Sequence, residues 1–158
     1  MTGQYARRVV HGGRLIMAGQ RDTRVPDLVD LLTRAQRALA RDLGTRLEEE
    51  GASVDQWRVL RALVTAPDGR SMGELAVAVE IPHPTLTRLV DGLVDAALLF
   101  RGHSPQDRRR VSVHISELGR TKLDRLEALA AAHEHSVAER LSHQAVDELS
   151  ALLRSLEG

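Results

Sequence analysis

Three adjacent arginines, Arg108, Arg109 and Arg110, follow an acid, Asp107, and run straight into an alternating segment, Val111-Ser112-Val113-His114-Ile115. Guanidinium groups side by side repel one another, so an arginine run is a poor way to stabilise a loop. It suits an anionic partner, because each guanidinium offers a fixed fork of N–H donors matched to phosphate oxygens and to base edges. A second set stands upstream, at Pro84, Thr85, Thr87 and Arg88. Threonine hydroxyls bond bases or phosphates, their methyls meet thymine, and arginine can grip guanine with two bonds. The chemistry these residues offer is recognition of a polyanion, with no bond made or broken.

Other chemistries find little support. No cysteine is present, which excludes disulfides, thiolate nucleophiles and thiol redox sensing. No G-x-S-x-G, phosphate-binding loop or G-x-G-x-x-G occurs, so no enzyme is expected. His133-Glu134-His135 invites a metal reading. On a helix, however, residues two apart point ~200° apart, and Val137 stands where H-E-x-x-H needs its second histidine. Solvated or interface histidines are expected there, with no metal and no cofactor. The 22 basic residues balance the 22 acidic ones, so any anion binding must come from where the charges sit. No apolar stretch approaches the ~20 residues that span a membrane, and a cytoplasmic location is expected.

The elements that must position these residues can be traced along the 158-residue chain. Aromatic content is only 2%, from Tyr5, Trp57 and Phe100, so the core must be Leu, Val and Ala on closely packed helices. Residues 1–24 carry five arginines, with Gly12-Gly13 between them, and read as a flexible basic tail. An arm that touches DNA or a partner, and a true start at Met17, are the alternatives. From Pro26, in a first-turn position, Leu28, Leu31, Leu32, Ala35, Leu39 and Leu43 recur at helical spacing up to a stop at Gly51. Ser53 caps a second helix, Ala66-Pro67-Asp68-Gly69 is a turn, and Ser71-Met72-Gly73-Glu74 is a capping box.

The next helix runs from Pro84, as its first residue, to Ala96. Leu86, Leu89, Val90 and Leu93 form its buried face and Pro84, Thr87, Arg88 and Asp91 its wet one, with Thr85 at the edge. Leu98 to His103 and Val111 to Ile115 read as a hairpin with Val111, Val113 and Ile115 inward and Ser112 and His114 outward. Ser116 caps a helix reaching Leu141, and Ser142 a last one through Leu156. Two short helices, a tight turn and a basic-tipped hairpin describe a winged helix-turn-helix.

The order of elements, the segment Gln56-Trp57-Arg58-Val59-Leu60, and Asp107-x-Arg109-x-Val111-x-Val113-x-Ile115-Ser116-x-x-Gly119 together resemble the MarR-type family of winged-helix regulators. The resemblance covers roughly residues 27 to 157. It implies that Arg109 enters a minor groove, that Asp107 orients the wing, and that Thr85, Thr87 and Arg88 face the major groove. It also implies a homodimer formed by the first helix and the last two. Independently, the helices at both ends carry apolar faces broader than one winged-helix domain can cover. The expected fold is mainly α, with N- and C-terminal dimerisation helices around a two-stranded β-wing. The expected division is a tail at 1–24, a dimerisation helix at 25–52, a DNA-binding domain at 53–116 and dimerisation helices at 117–158. The expected function is a transcriptional regulator, a repressor rather than an activator, on a pseudo-palindromic duplex operator. It is open to release by a small-molecule effector, whose site the sequence leaves unknown. The alternative is a winged-helix adaptor that binds protein, which an arginine-rich tip disfavours.

Overall fold

A computed structural model describes residues 27–103 and 111–156. Along the chain run α1 (Leu28–Leu47), a 3-10 turn (Glu48–Glu50), α2 (Val54–Val64), α3 (Met72–Val79), α4 (His83–Asp95), β1 (Leu99–His103), β2 (Val111–Ile115), α5 (Glu117–Leu141) and α6 (His143–Leu156). The mainly helical architecture with one two-stranded hairpin is the expected one. The expected basic tail and the arginine loop, with Asp107, Arg108, Arg109 and Arg110, lie outside the described residues.

Serine caps set most of the helix starts. Ser53 and Ser71 each close a reciprocal capping box, with Gln56 and Glu74 respectively. Ser116 Oγ accepts from the Gly119 N–H at 2.9 Å. Each such cap stabilises by about 0.5–2 kcal/mol, because it satisfies an N–H that the helix leaves without a partner. At the other end, α1 stops at Leu47, short of the expected glycine. Glu48–Glu50 tighten into a 3-10 turn, and Gly51 takes a left-handed φ of 64°.

One apolar cluster unites α2, α3, α4, the hairpin and the first half of α5. Val59, Leu60, Leu63, Leu75, Leu86, Val90, Leu93, Leu99, Val113 and Leu126 are all essentially inaccessible. The chain ends contribute little to it: α1 buries only Leu47, and α6 buries nothing. Leu28, Leu31, Leu39, Leu149, Leu152, Leu153 and Leu156 stay exposed. α5, at 25 residues the longest helix described, joins the two regions: Leu123 and Leu126 sit in the core, and its far end packs on α1 and α6.

The hairpin is antiparallel, with Leu99 opposite Ile115 and His103 opposite Val111. Its facing differs from the expected alternation at two positions. Val113 and Ile115 are buried as expected, but Val111 is 54% exposed and Ser112 is buried. Val111 sits at the open end of the ladder, past the reach of the core. Ser112 is covered on the outer face, where its hydroxyl meets His114 Nε2 at 2.7 Å and the His114 ring stacks on Phe100. The turn before α3 closes over the same ring. A Cβ on Gly69, whose φ is 73°, would lie 2.6 Å from it. The residue after that glycine, Arg70, exchanges both backbone hydrogen bonds with Val113 and extends the hairpin by one bridge.

Candidate nucleic-acid interface

Helix α4 begins at His83, one residue earlier than the spacing predicts, with Pro82 as its N-cap and Pro84 in its first turn. A first-turn proline is tolerated because the N–H it lacks would have no partner inside the helix. The helix divides cleanly. Leu86, Val90 and Leu93 are buried, and Leu89 is half-buried. Pro84, Thr85, Arg88 and Asp91 are exposed.

Thr87 differs from its expected neighbours. It is half-buried, and its hydroxyl donates to the His83 carbonyl at 2.9 Å. That bond commits the hydroxyl to the helix backbone, so its methyl is the part left for an outside contact. Arg88 has no ionic partner among the described residues, which leaves its guanidinium available to a polyanion. The helix N-terminus adds a partial positive charge beside Pro84 and Thr85.

The hairpin is held to this helix and to the one that follows it. Arg101, on β1 opposite Val113, is hydrogen-bonded to the Asp91 carboxylate on α4. At the hairpin root, Ser116 Oγ lies 2.7 Å from the Ala97 carbonyl and 3.0 Å from the Leu98 carbonyl, with the hydroxyl proton shared between them. Gly119 presses against the same segment just before β1: a Cβ there would lie 2.1 Å from the Leu98 carbonyl oxygen. Only glycine permits that approach. The ladder of β1 and β2 is therefore fixed at its base.

The four α4 residues singled out from sequence thus share the first half of one helix, three of them exposed. Sequence reasoning missed the Asp91–Arg101 tie, the Ser112–His114 contact and the Arg70 bridge. The Asp91–Arg101 tie and the Arg70 bridge join segments that only the tertiary fold brings together, whereas Ser112 and His114 stand two apart on β2, on the one face that alternation gives them.

A second feature lies where the end helices meet this lobe. A cavity of about 450 Å³ is lined by Leu32, Leu39, Val54, Trp57, His133 and Leu153, among others. Trp57 is fixed in its wall: the indole N–H donates to Glu127 Oε1 at 3.1 Å, and the Arg61 guanidinium lies over the ring. His133, expected to be solvated or at an interface, is buried within the subunit. His135 is exposed and faces Glu139 at 3.5 Å. Among the described residues, no three His, Cys, Asp or Glu side chains are grouped to hold a metal ion.

Comparison with known proteins gives one consistent answer. The family model of the MarR family matches residues 50–110, which takes in α2, α3, α4 and β1. A curated relative from Thauera aromatica, assigned to transcriptional regulation of the hcr operon, is 30% identical over 122 residues, covering 77% of this chain and 71% of its own. Among solved structures, the transcriptional repressor CouR bound to a 23-mer DNA duplex is similar at 30% identity and a TM-score of 0.76, over 83% of this chain and 92% of that one. The transcriptional regulator PA4135 is similar at 26% identity and a TM-score of 0.75, over 84% and 96% of the two chains.

Proposed function

Because this chain belongs to the MarR family of transcriptional regulators, we propose that it is a homodimeric, sequence-specific repressor that lays α4 in the major groove of its operator. The observation that carries this reading is the division of α4. Its buried leucine and valine face leaves Pro84, Thr85 and Arg88 outward at the end of the helix that reaches base edges in helix-turn-helix proteins. Arg88 reads a guanine or holds a phosphate, Thr85 bonds the same edge, and Thr87 offers its methyl. Asp107 and Arg108, Arg109 and Arg110 form the tip that reaches the flanking minor groove, with Arg109 inserted.

The exposed leucines of α1 and α6 support the dimer, since a soluble protein rarely leaves such a surface uncovered. In this division residues 53–116 bind DNA, and residues 25–52 and 117–158 hold the partner copy. A two-fold pair sets its α4 helices ~34 Å apart and requires a pseudo-palindromic site. No described helix is long and apolar enough to cross a membrane, and work on DNA puts the protein in the cytoplasm. The cavity around Trp57 is within the usual ~300–1,000 Å³ of ligand pockets. Because it touches α1, α2, α5 and α6 together, a small apolar effector held there would favour one spacing of the lobes over another.

The test is fluorescence anisotropy of the full chain with duplex DNA from its own upstream region, across a salt series. Wild type binds tightly and weakens steeply with salt, and Arg109→Ala loses ~1–3 kcal/mol. Equal, weak binding by both proteins to every fragment of the genome would overturn the reading in favour of a protein-binding adaptor.

A further inference from the structure

Side chains on the outer face of an antiparallel hairpin ordinarily meet water. His114, on the outer face of β2, instead meets both strands and the turn between α2 and α3. Its cross-strand partner Phe100 stacks on it, with ring centroids 5.1 Å apart and planes 11° from parallel. Its Nε2 lies 2.7 Å from the Ser112 hydroxyl. The turn closes on the ring at Gly69, where a Cβ would lie 2.6 Å from His114 Cε1.

A second glycine makes room for the same ring. A Cβ on Gly102 would lie 3.2 Å from His114 Cδ2 and Nε2. Unlike Gly69, Gly102 has no left-handed φ, and the ladder passes through it without a bulge. Glycine inside a strand is otherwise unfavourable, so its use here is the space it leaves for the imidazole. The opposite face of the hairpin is tied to α4 through Arg101 and Asp91. A two-stranded ribbon twists readily, and contacts on both faces fix its course. The Arg101–Asp91 tie is half exposed and weakens with salt, whereas the stacking and close packing around His114 do not depend on charge.

We infer that His114 is a positioning residue for DNA binding. Clasped by Gly69, Gly102, Phe100 and Ser112, it sets the course of the hairpin relative to the helix-turn-helix and acts on DNA through Arg109. This role rests on the reading of the arginine tip as a minor-groove contact.

The test has two arms on the full chain. In amide hydrogen exchange followed by NMR, His114→Ala speeds the Arg70 and Val113 N–H groups, which donate to each other's carbonyls, by about tenfold. Leu126 in α5 is expected to keep its wild-type rate. In anisotropy with the upstream duplex, His114→Ala weakens binding by about threefold to tenfold. In an Arg109→Ala background it costs almost nothing further, while its loss multiplies with that of Arg88→Ala, as independent sites do. Ser112→Ala, which removes only the hydroxyl, shows the same pattern at smaller size and carries the test if His114→Ala fails to fold. His114 loses this role if the Arg70 and Val113 amides exchange at the wild-type rate, if every amide speeds equally, or if its cost multiplies with that of Arg109→Ala. An Arg109→Ala protein that binds the duplex as tightly as wild type overturns both this role and the reading of the tip.

Discussion

The Arg101 guanidinium on β1 is hydrogen-bonded to the Asp91 carboxylate on α4, so the hairpin and the helix beside it are tied by one ion pair. Both side chains are about half exposed, and solvent screens such a pair. Exposed ion pairs typically contribute ~0–1 kcal/mol, so this one contributes more to relative placement than to stability.

A double-mutant cycle of Asp91→Ala and Arg101→Ala, read by urea unfolding, is expected to give a coupling below ~1 kcal/mol. A coupling of about 3 kcal/mol would show that the pair is shielded from water and that its assignment as a surface tie is wrong.

Arg88→Ala is expected to cost ~1–3 kcal/mol of operator affinity. The accompanying behaviour separates two roles. Loss of discrimination at one base pair marks a guanine contact. Uniform weakening, with the salt slope lower by ~1, marks a phosphate contact. Anisotropy with single-base-pair variants of the operator decides, and a mutant with unchanged affinity removes Arg88 from the interface.

Gly119→Ala is expected to destabilise the protein although alanine favours helix by about 1 kcal/mol. The new methyl would meet the Leu98 carbonyl oxygen at 2.1 Å and Ile115 Cγ1 at 2.8 Å. Backbone cannot swing aside as a flexible side chain can, and overpacking of this kind costs ~1–3 kcal/mol. The readout is thermal unfolding, where each ~1 kcal/mol moves Tm by about 2–4 °C at this size. An unchanged or higher Tm would mean that α5 can slide away from the hairpin root.

Leu152→Glu, at a site 66% exposed in the single subunit, is expected to convert dimer to monomer in sedimentation velocity. The same change is expected to abolish tight operator binding, because one α4 alone holds half a site. A mutant that stays dimeric would place the subunit contact elsewhere than α6.

Much of this was legible because the signals are local. The capping serines Ser53, Ser71 and Ser116 each stand one residue before the helix they open, and the buried set Leu86, Val90 and Leu93 follows from helical period alone. Pro84 misled by one residue, since proline fits the second position of a helix nearly as well as the first. Val111 and Ser112 misled for another reason. Alternation tells which side chains share a face but not how far along the strand the core extends or what covers the outer side. Thr87 looks in sequence like a free hydroxyl, and its bond to the His83 carbonyl is the usual competing use of threonine in a helix.

The unbroken course of α5 makes it a lever. Its 25 residues span ~37 Å at ~1.5 Å per residue, from the hairpin root to the junction with α6. A tilt of about 5° at the α6 end carries the root by ~3 Å, close to the ~3.4 Å between successive base pairs. Operator fit therefore has an angular tolerance of only a few degrees, set far from any atom that touches DNA.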